Sequence, residues 1–317
     1  MLTWPARYPL AVLPTPLVAA PRLSEALERE VWIKRDDLTG FAFGGNKVRP
    51  LEVLTADALD RGCDHLVGCG GPTSNLCAAL AAAAATAGLA CTIVLYGQEP
   101  TRDGIHPNLL AMRAFGADVR FTGDRDRAAT PEHAAEAAEV LRAGGSRPYV
   151  IPRGAATGLG ATAYAWAAGE LADQLTFSPA NVVVAVGSGG TVAGLLAGMV
   201  PFDLPGRLVG VAVSRALDET QREVERLAGE AAAVLGIDGP DGDRLVLLDA
   251  LGAGFGRPDR PTVEAARLAL RTEGLTADTT YVARAVAALD RVDGPLVLWH
   301  TGGGLGFVGD LLGMASG

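Results

Sequence analysis

Lysine is almost missing from this 317-residue chain: only Lys34 and Lys47 occur, so chemistry that needs a side-chain primary amine has two candidates. Basic charge as a whole is short, with 27 Lys and Arg against 36 Asp and Glu and a formal net charge of -9. That deficit argues against a nucleic-acid partner, because polyphosphate binding rests on basic side chains that release counterions. Aromatic residues make up 5% of the chain while hydrophobic residues make up 49%, and alanine is abundant. This balance suits closely packed helices better than a β-sandwich. The four cysteines, Cys63, Cys69, Cys77 and Cys91, form no CxxC pair, and no histidine stands at metal-ligand spacing. A zinc site is therefore not expected, and the thiols point to a reducing cytoplasm. Residues 78–85 are too short and too weakly apolar to span a bilayer, and the N-terminus lacks a basic stretch followed by an apolar one. The chain is expected in the cytoplasm, with no membrane partner.

What is present is an alternation of strand and helix patterns, long enough for two domains or one large α/β body. Residues 31–34 read as a strand, the turn-rich run 36–45 follows, and 48–61 have helical periodicity, so a loop delivers Lys47 to a helix start. Strands are predicted at 65–69 and 91–96 around an alanine-rich helix at 75–87, an order that implies a parallel sheet. A helix at 108–115, a strand at 118–121 and an exposed helix at 125–143 complete this unit, which ends near Pro152. Beyond it the pattern predicts helices at 160–175, 191–199, 219–235 and 261–273, and strands at 181–186, 208–213 and 295–299. No repeat or low-complexity linker is present, and two parallel-sheet units fit better than one continuous sheet.

Four glycine-rich turns follow or precede these apolar elements. Gly187-Ser188-Gly189-Gly190-Thr191 lies between a strand and a helix, where free N–H groups and the helix dipole suit a phosphate. It lacks the dinucleotide fingerprint, which needs a glycine at Val192, and no lysine follows to make a Walker loop. A phosphate monoester on a small cofactor fits; a tight turn for close packing is the plain alternative. In Gly44-Gly45-Asn46-Lys47 the glycines let backbone approach a flat ligand, and Lys47 is either a desolvated nucleophilic amine or a surface lysine. Gly70-Gly71-Pro72-Thr73-Ser74-Asn75 places hydroxyls beyond the carboxyl end of a sheet, with helix capping by Ser74 as the alternative. His300-Thr301-Gly302-Gly303-Gly304 brings a hydroxyl to the end of another strand, or is simply an exit turn.

Taken together, these motifs resemble the pyridoxal-phosphate enzymes of the tryptophan synthase β-like fold (fold type II), within them the aminocyclopropane-carboxylate deaminase and D-cysteine desulfhydrase group. The resemblance runs nearly end to end and rests on Lys34-Arg35-Asp36-Asp37-Leu38-Thr39-Gly40 leading to Gly44-Gly45-Asn46-Lys47, then Ser74-Asn75, Asn108-Leu109-Leu110, residues 187–191, Thr272-Glu273-Gly274, Tyr281 and His300-Thr301-Gly302-Gly303. It implies two parallel-sheet three-layer domains, a larger one from 1–47 plus 160–317 and a smaller one from 48–159, with the cofactor between them. It implies that Lys47 carries pyridoxal 5'-phosphate as a Schiff base, that Asn75 bonds the ring oxygen, and that Gly187, Ser188, Gly189, Gly190 and Thr191 hold the phosphate. Asn46, Thr301 and Gly302 would complete the cofactor's surroundings, and Thr73, Ser74, Leu76, Phe255 and Tyr281 would face a small amino-acid substrate. Lys47, Ser74 and Tyr281 would be the catalytic set, in a protein that is usually a homodimer.

The implied reaction is an α,β-elimination. Lys47, displaced by the substrate amine, removes the α-proton, the β-leaving group departs, and hydrolysis yields a keto acid and ammonia. The sequence departs from the group on the substrate side. Thr73 and Leu76 stand where the group has polar residues, and Phe255 of Gly254-Phe255-Gly256-Arg257-Pro258 stands where it has a tyrosine, which removes a phenol useful for opening a cyclopropane ring. Val282 replaces the carboxylate or small hydroxyl residue after the tyrosine, which leaves Thr301 as the partner of the ring nitrogen, and Arg284 replaces a lysine. A neutral partner keeps the electron sink mild and suits a good leaving group. Retained cofactor with an altered substrate, in a specialised biosynthetic setting, is the expectation. The alternatives are β-replacement by an added nucleophile, aminocyclopropane-carboxylate deamination, and a non-catalytic cofactor-binding homologue.

Overall fold

A computed structural model describes residues 2–101 and 104–315, with the side chains of 312–315 excepted. The chain opens with strand β1 (Leu17–Ala19), helix α1 (Pro21–Leu27) and strand β2 (Val31–Arg35). A second block contains α2 (Val48–Asp60), β3 (His65–Gly70), α3 (Asn75–Ala87), β4 (Ala90–Leu95), α4 (Pro107–Ala114), β5 (Asp118–Phe121), α5 (Thr130–Ala143) and β6 (Pro148–Ile151). The third contains α6 (Gly158–Gln174), β7 (Asn181–Val186), α7 (Gly190–Met199), β8 (Arg207–Ala212), α8 (Leu217–Leu235), β9 (Leu245–Asp249), α9 (Arg260–Glu273), α10 (Val282–Ala287), β10 (Leu296–His300) and α11 (Gly304–Ala315).

These elements form two compact units. Met1–Pro5, Ala11–Asn46 and Ala156–Gly317 make the larger; Ala6–Leu10 and Lys47–Ala155 make the smaller. The division differs from the boundaries expected at 47/48 and 159/160. Residues 6–10 go with the smaller unit because Arg7 pairs with Glu52 of α2, the Leu10 N–H donates to the same carboxylate at 2.8 Å, and the Tyr8 hydroxyl donates to the Thr86 carbonyl at 2.9 Å. Lys47 goes with it because its carbonyl accepts from the Leu51 N–H and so begins α2.

The larger unit holds a six-stranded sheet in the order β1-β2-β10-β7-β8-β9, parallel except for β1. Alternation along its strands feeds two cores. Val183, Leu296 and Leu298 face Ala265, Ala269 and Val286 of α9 and α10, whereas Val182, Val184, Val297 and Trp299 face Ala161, Leu195 and Leu227 of α6, α7 and α8. The sheet is therefore covered on both sides, a three-layer α/β body. The smaller unit has a four-stranded parallel sheet in the order β5-β4-β3-β6, and Val67 and Cys69 pack on Ala134, Ala137 and Ala138 of α5.

Every predicted strand and helix exists, with ends shifted by a few residues. The helix expected from 125 begins at Thr130, where Pro131 supplies the fixed φ of a first turn. Three strands escape the sequence pattern: β1, which has three residues, β6, which has four and starts on a proline, and β9, and all three lie at sheet edges where period-two burial is weak. Among the described residues no helix is long and apolar enough to cross a membrane.

Candidate functional site

The two lysines have opposite environments. Lys34, on β2, is fully buried and spends its three N–H groups on the Thr15 carbonyl (2.6 Å), Glu170 Oε1 (2.5 Å) and Gln174 Oε1 (2.6 Å). Its charge is neutralised and its donors are satisfied, so it is a structural cation. Lys47 stands at the start of α2, and its Nζ donates to the Gly154 carbonyl at 3.0 Å. No carboxylate ion-pairs with it among the described residues. Part of the side chain stays accessible, but the amine is desolvated, and burial pulls its pKa down to about 8.

A pKa near 8 leaves about a tenth of the amine neutral at pH 7, far more than an ordinary lysine. Capture of added pyridoxal phosphate by the free protein is accordingly expected to accelerate about tenfold per pH unit up to pH ~8, then to level off. Stopped-flow absorbance measures this directly. A rate still climbing steeply above pH ~9 indicates an ordinary exposed amine.

In the larger unit, the parallel neighbours β2, β10 and β7 bring three turns to one end of the sheet. β7 ends at Gly187, and Gly189, at φ 98°, begins the ten-residue α7 with no side-chain cap. The first N–H groups of that helix have no acceptor within it and suit an anion. The Ser214 hydroxyl donates to the Gly187 carbonyl at 2.8 Å and holds the turn from β8. Asn46 Nδ2 donates to Thr191 Oγ1 at 3.0 Å, and the Asn46 N–H donates to the Thr301 carbonyl at 2.9 Å. Gly45 and Gly302 pack backbone to backbone: a Cβ on Gly302 would lie 2.4 Å from the Gly45 Cα, so neither position admits a side chain. Behind these turns, the buried Asp36 carboxylate accepts from Thr15 Oγ1 (3.0 Å), the Tyr164 hydroxyl (2.5 Å) and Trp299 Nε1 (2.8 Å). Burial lowers the pKa of His300, whose Nδ1 accepts from the Gly302 N–H at 3.2 Å.

Tyr281 lies against the same turn, since a Cβ on Gly187 would be 2.9 Å from its Cε1. Phe255 meets it edge-on, with ring centroids 6.0 Å apart and an interplanar angle of 70°. Sequence reading missed the group that seats Tyr281. Asp278 Oδ1 accepts from the N–H groups of Thr280 (3.0 Å) and Tyr281 (2.8 Å), just before α10. An aspartate that accepts from the backbone two and three residues on forms a side-chain turn, a signal that was available in the sequence. Burial pushes its carboxyl up to about 7.

With a folded pKa above the unfolded value near 3.8, Asp278 contributes stability that is complete below that value and is lost as pH rises toward about 7. Asp278→Asn keeps the Oδ1 acceptor and is expected to flatten the decline in urea midpoint between pH ~4 and ~7. Asp278→Ala removes the acceptor of the Thr280 and Tyr281 N–H groups and is expected to cost about 1–2 kcal/mol. An unchanged pH slope in the asparagine variant assigns the decline to another group.

In the smaller unit, Ser74 Oγ accepts from the Cys77 N–H at 3.2 Å, so the expected cap of α3 is present and the hydroxyl proton remains to donate. Asn108 Nδ2 donates to Asn75 Oδ1 at 3.0 Å and to the Thr73 carbonyl at 2.8 Å. This fixes the Asn75 amide with its Nδ2 turned to donate elsewhere, a role for Asn108 that its place in a motif did not reveal. Leu76 requires a correction: it is 2% exposed, in a stretch of α3 that is buried throughout from Leu76 to Ala84, and offers almost no surface to a substrate. Thr73 is exposed. All four cysteines are free thiols, and burial pushes Cys77 and Cys91 up to about 12. Among the described residues no cluster of His, Cys, Asp or Glu is arranged to hold a metal.

Comparison with known proteins gives the family and the fold. Residues 8–302 match the family described as "Pyridoxal-phosphate dependent enzyme". The chain is 38% identical over 305 residues to a D-cysteine desulfhydrase of Yersinia enterocolitica, covering 91% of each chain, and 38% identical over 311 residues to one of Salmonella schwarzengrund, covering 94% of each. Among solved structures, an ACC deaminase homologue aligns with a TM-score of 0.91 at 34% identity, covering 98% of this chain and 96% of that one. A fungal L-serine ammonia-lyase from Rhizomucor miehei aligns with a TM-score of 0.67 at 19% identity, covering 92% of this chain and 93% of that one, which shows the shared fold alone.

Proposed function

This chain belongs to the pyridoxal-phosphate dependent enzymes of fold type II, and from that membership we propose that it is a lyase that takes the α-proton from a small amino acid and expels its β-substituent. The supporting observation is the contrast between its lysines: Lys34 is locked by three acceptors, while the desolvated Lys47 amine meets a single carbonyl. The residues fit a cofactor that presents an aldehyde and a phosphate monoester. Among the described residues no carboxylate pairs with the Lys47 amine, and the turn at 187–191 leads into a helix with no side-chain cap on its first N–H groups.

Bound pyridoxal phosphate supplies a conjugated ring that takes up the electron pair left at Cα. Lys47 would hold the cofactor and, when free, would accept the α-proton; a pKa near 8 suits that task close to neutral pH. Gly187, Ser188, Gly189, Gly190 and Thr191 bind the phosphate, with Asn46 bracing Thr191. Asn75, oriented by Asn108, would donate to the ring oxygen, and the Thr301 hydroxyl, beside Gly302, would serve the ring nitrogen. Ser74 binds the substrate carboxylate or relays a proton, with Thr73 beside it. Tyr281 protonates the leaving group, and Phe255 forms an apolar wall. A cytoplasmic homodimer is the expected setting, in keeping with four unpaired thiols.

The test is the loaded enzyme with D-cysteine, L-cysteine and aminocyclopropane-carboxylate, with and without an added thiol. Elimination from cysteine consumes one water and yields pyruvate, ammonia and sulfide in equal amounts, unaffected by the thiol. A new thioether amino acid in place of pyruvate indicates replacement. No keto acid from any member of a broad amino-acid panel overturns the reading.

A further inference from the structure

Phe255 sits in a glycine-rich loop between β9 and α9 that has no regular secondary structure. Gly252, Gly254 and Gly256 adopt φ values of 52°, 116° and 70°. Glycine-rich backbone loses more freedom on ordering than other sequences, so something must hold it. Within the loop the Gly254 N–H donates to the Leu251 carbonyl at 2.8 Å, and the Arg257 N–H to the Gly254 carbonyl at 3.2 Å.

The holding group is Arg284, on α10. It is 2% exposed, and its guanidinium donates to four loop carbonyls: Ala250, Leu251 (2.8 Å), Gly254 (3.1 Å) and Arg257 (2.6 Å). Its Nε is buried without a hydrogen-bond partner. A buried guanidinium with an unspent donor is costly, and it persists here because the planar fork spans carbonyls that a lysine ammonium cannot reach together. Arg284 lies three residues after Tyr281, and Phe255 meets the Tyr281 ring edge-on. One short helix thus sets both rings, Tyr281 at its start and Phe255 through the arginine.

We infer that Arg284 is a positioning residue that clamps Phe255 against Tyr281 and thereby sets which amino-acid side chains the enzyme accepts. The inference rests on the assignment of Tyr281 and Phe255 to the substrate side. Its effect falls on substrate binding, because neither the 187–191 turn nor Lys47 accepts a hydrogen bond from Arg284.

The experiment uses the cofactor-loaded enzyme and the variants Arg284→Met, Arg284→Lys, Phe255→Ala and the Met/Ala double variant. Amide exchange of peptides spanning 250–258 is expected to accelerate about tenfold in Arg284→Met, with peptides spanning 187–192 unchanged. With D-cysteine as substrate, KM is expected to rise about tenfold while kcat stays within about threefold, and Arg284→Lys is expected to fall between. In the Phe255→Ala background the arginine substitution is expected to add nothing to KM, since its effect passes through that ring. Wild-type exchange in Arg284→Met, or additive KM effects, overturns the inference. Where the methionine variant does not fold, Arg284→Lys carries the same comparisons. Absence of keto acid from wild-type enzyme defeats the elimination reading, while the exchange comparison still decides the clamp.

Discussion

Lys47→Ala is expected to abolish covalent capture of pyridoxal phosphate and to lower turnover by about 10³-fold or more, because both the attachment amine and the base are lost together. Only two side-chain amines exist in the chain, so the readout is unusually clean. Borohydride treatment of the loaded wild-type protein traps the cofactor on whichever amine carries it, and peptide mapping reports the position. The expected adduct is on the peptide containing Lys47. Its amine has a single carbonyl partner and a pKa near 8, whereas Lys34 would have to abandon three acceptors to react. An adduct on Lys34, or an unchanged bound spectrum in Lys47→Ala, removes the chemical basis of the proposed function.

Lys34→Ala is expected to fail in the opposite way. It takes the Lys34 cation away from the Glu170 carboxylate, 6% exposed, and strips a donor from the Thr15 carbonyl and from Gln174. Removing one partner of a buried ion pair costs about 3–5 kcal/mol, a large share of the stability of a domain. The expected result is a marked fall in urea midpoint or loss of soluble protein, with any folded fraction still binding pyridoxal phosphate on Lys47. Lys34→Met in combination with Glu170→Leu is expected to recover much of the loss, because it removes both charges and restores apolar volume. A folded Lys34→Ala protein of wild-type stability that no longer takes up cofactor reverses the roles of the two lysines.

The elements that position these residues were legible because each is local. The apolar run at 181–186 followed by Gly187-Ser188-Gly189-Gly190-Thr191 announces a strand, a turn and a helix within a dozen residues, and the structure has β7 and α7 there. The same holds for β3 into α3 and for β10 into the glycines after His300. Ser74 was readable as a cap for the same reason. The arrangements that escaped join distant parts of the chain. Asn108 reaches back 33 residues to Asn75, Arg284 reaches loop carbonyls 27 to 34 residues away, and residues 7–10 bond to Glu52. No window of periodicity reports such pairs. Leu76 misled for a related reason: its place beside Ser74 and Asn75 suggested the substrate side, but α3 is buried on all sides from Leu76 to Ala84, which neighbours in sequence do not report. The departures at Phe255 and Arg284 read as two separate changes along the sequence, and only the folded loop makes them one unit.

The hydrogen bond from Trp299 to Asp36 gives the protein an internal optical reporter. Trp299 is 1% exposed, with Tyr164 edge-on at 5.9 Å, whereas Trp166 is 41% exposed. A soluble quencher such as acrylamide therefore dims Trp166 first, the half-buried Trp4 and Trp32 less, and Trp299 least, so that the emission surviving high quencher is weighted toward Trp299. Because its carboxylate partner also accepts from the Tyr164 hydroxyl, which donates in turn to the Asn46 carbonyl at 3.2 Å, a change in that residual fluorescence signals loosening behind the residue next to Lys47, with no label attached.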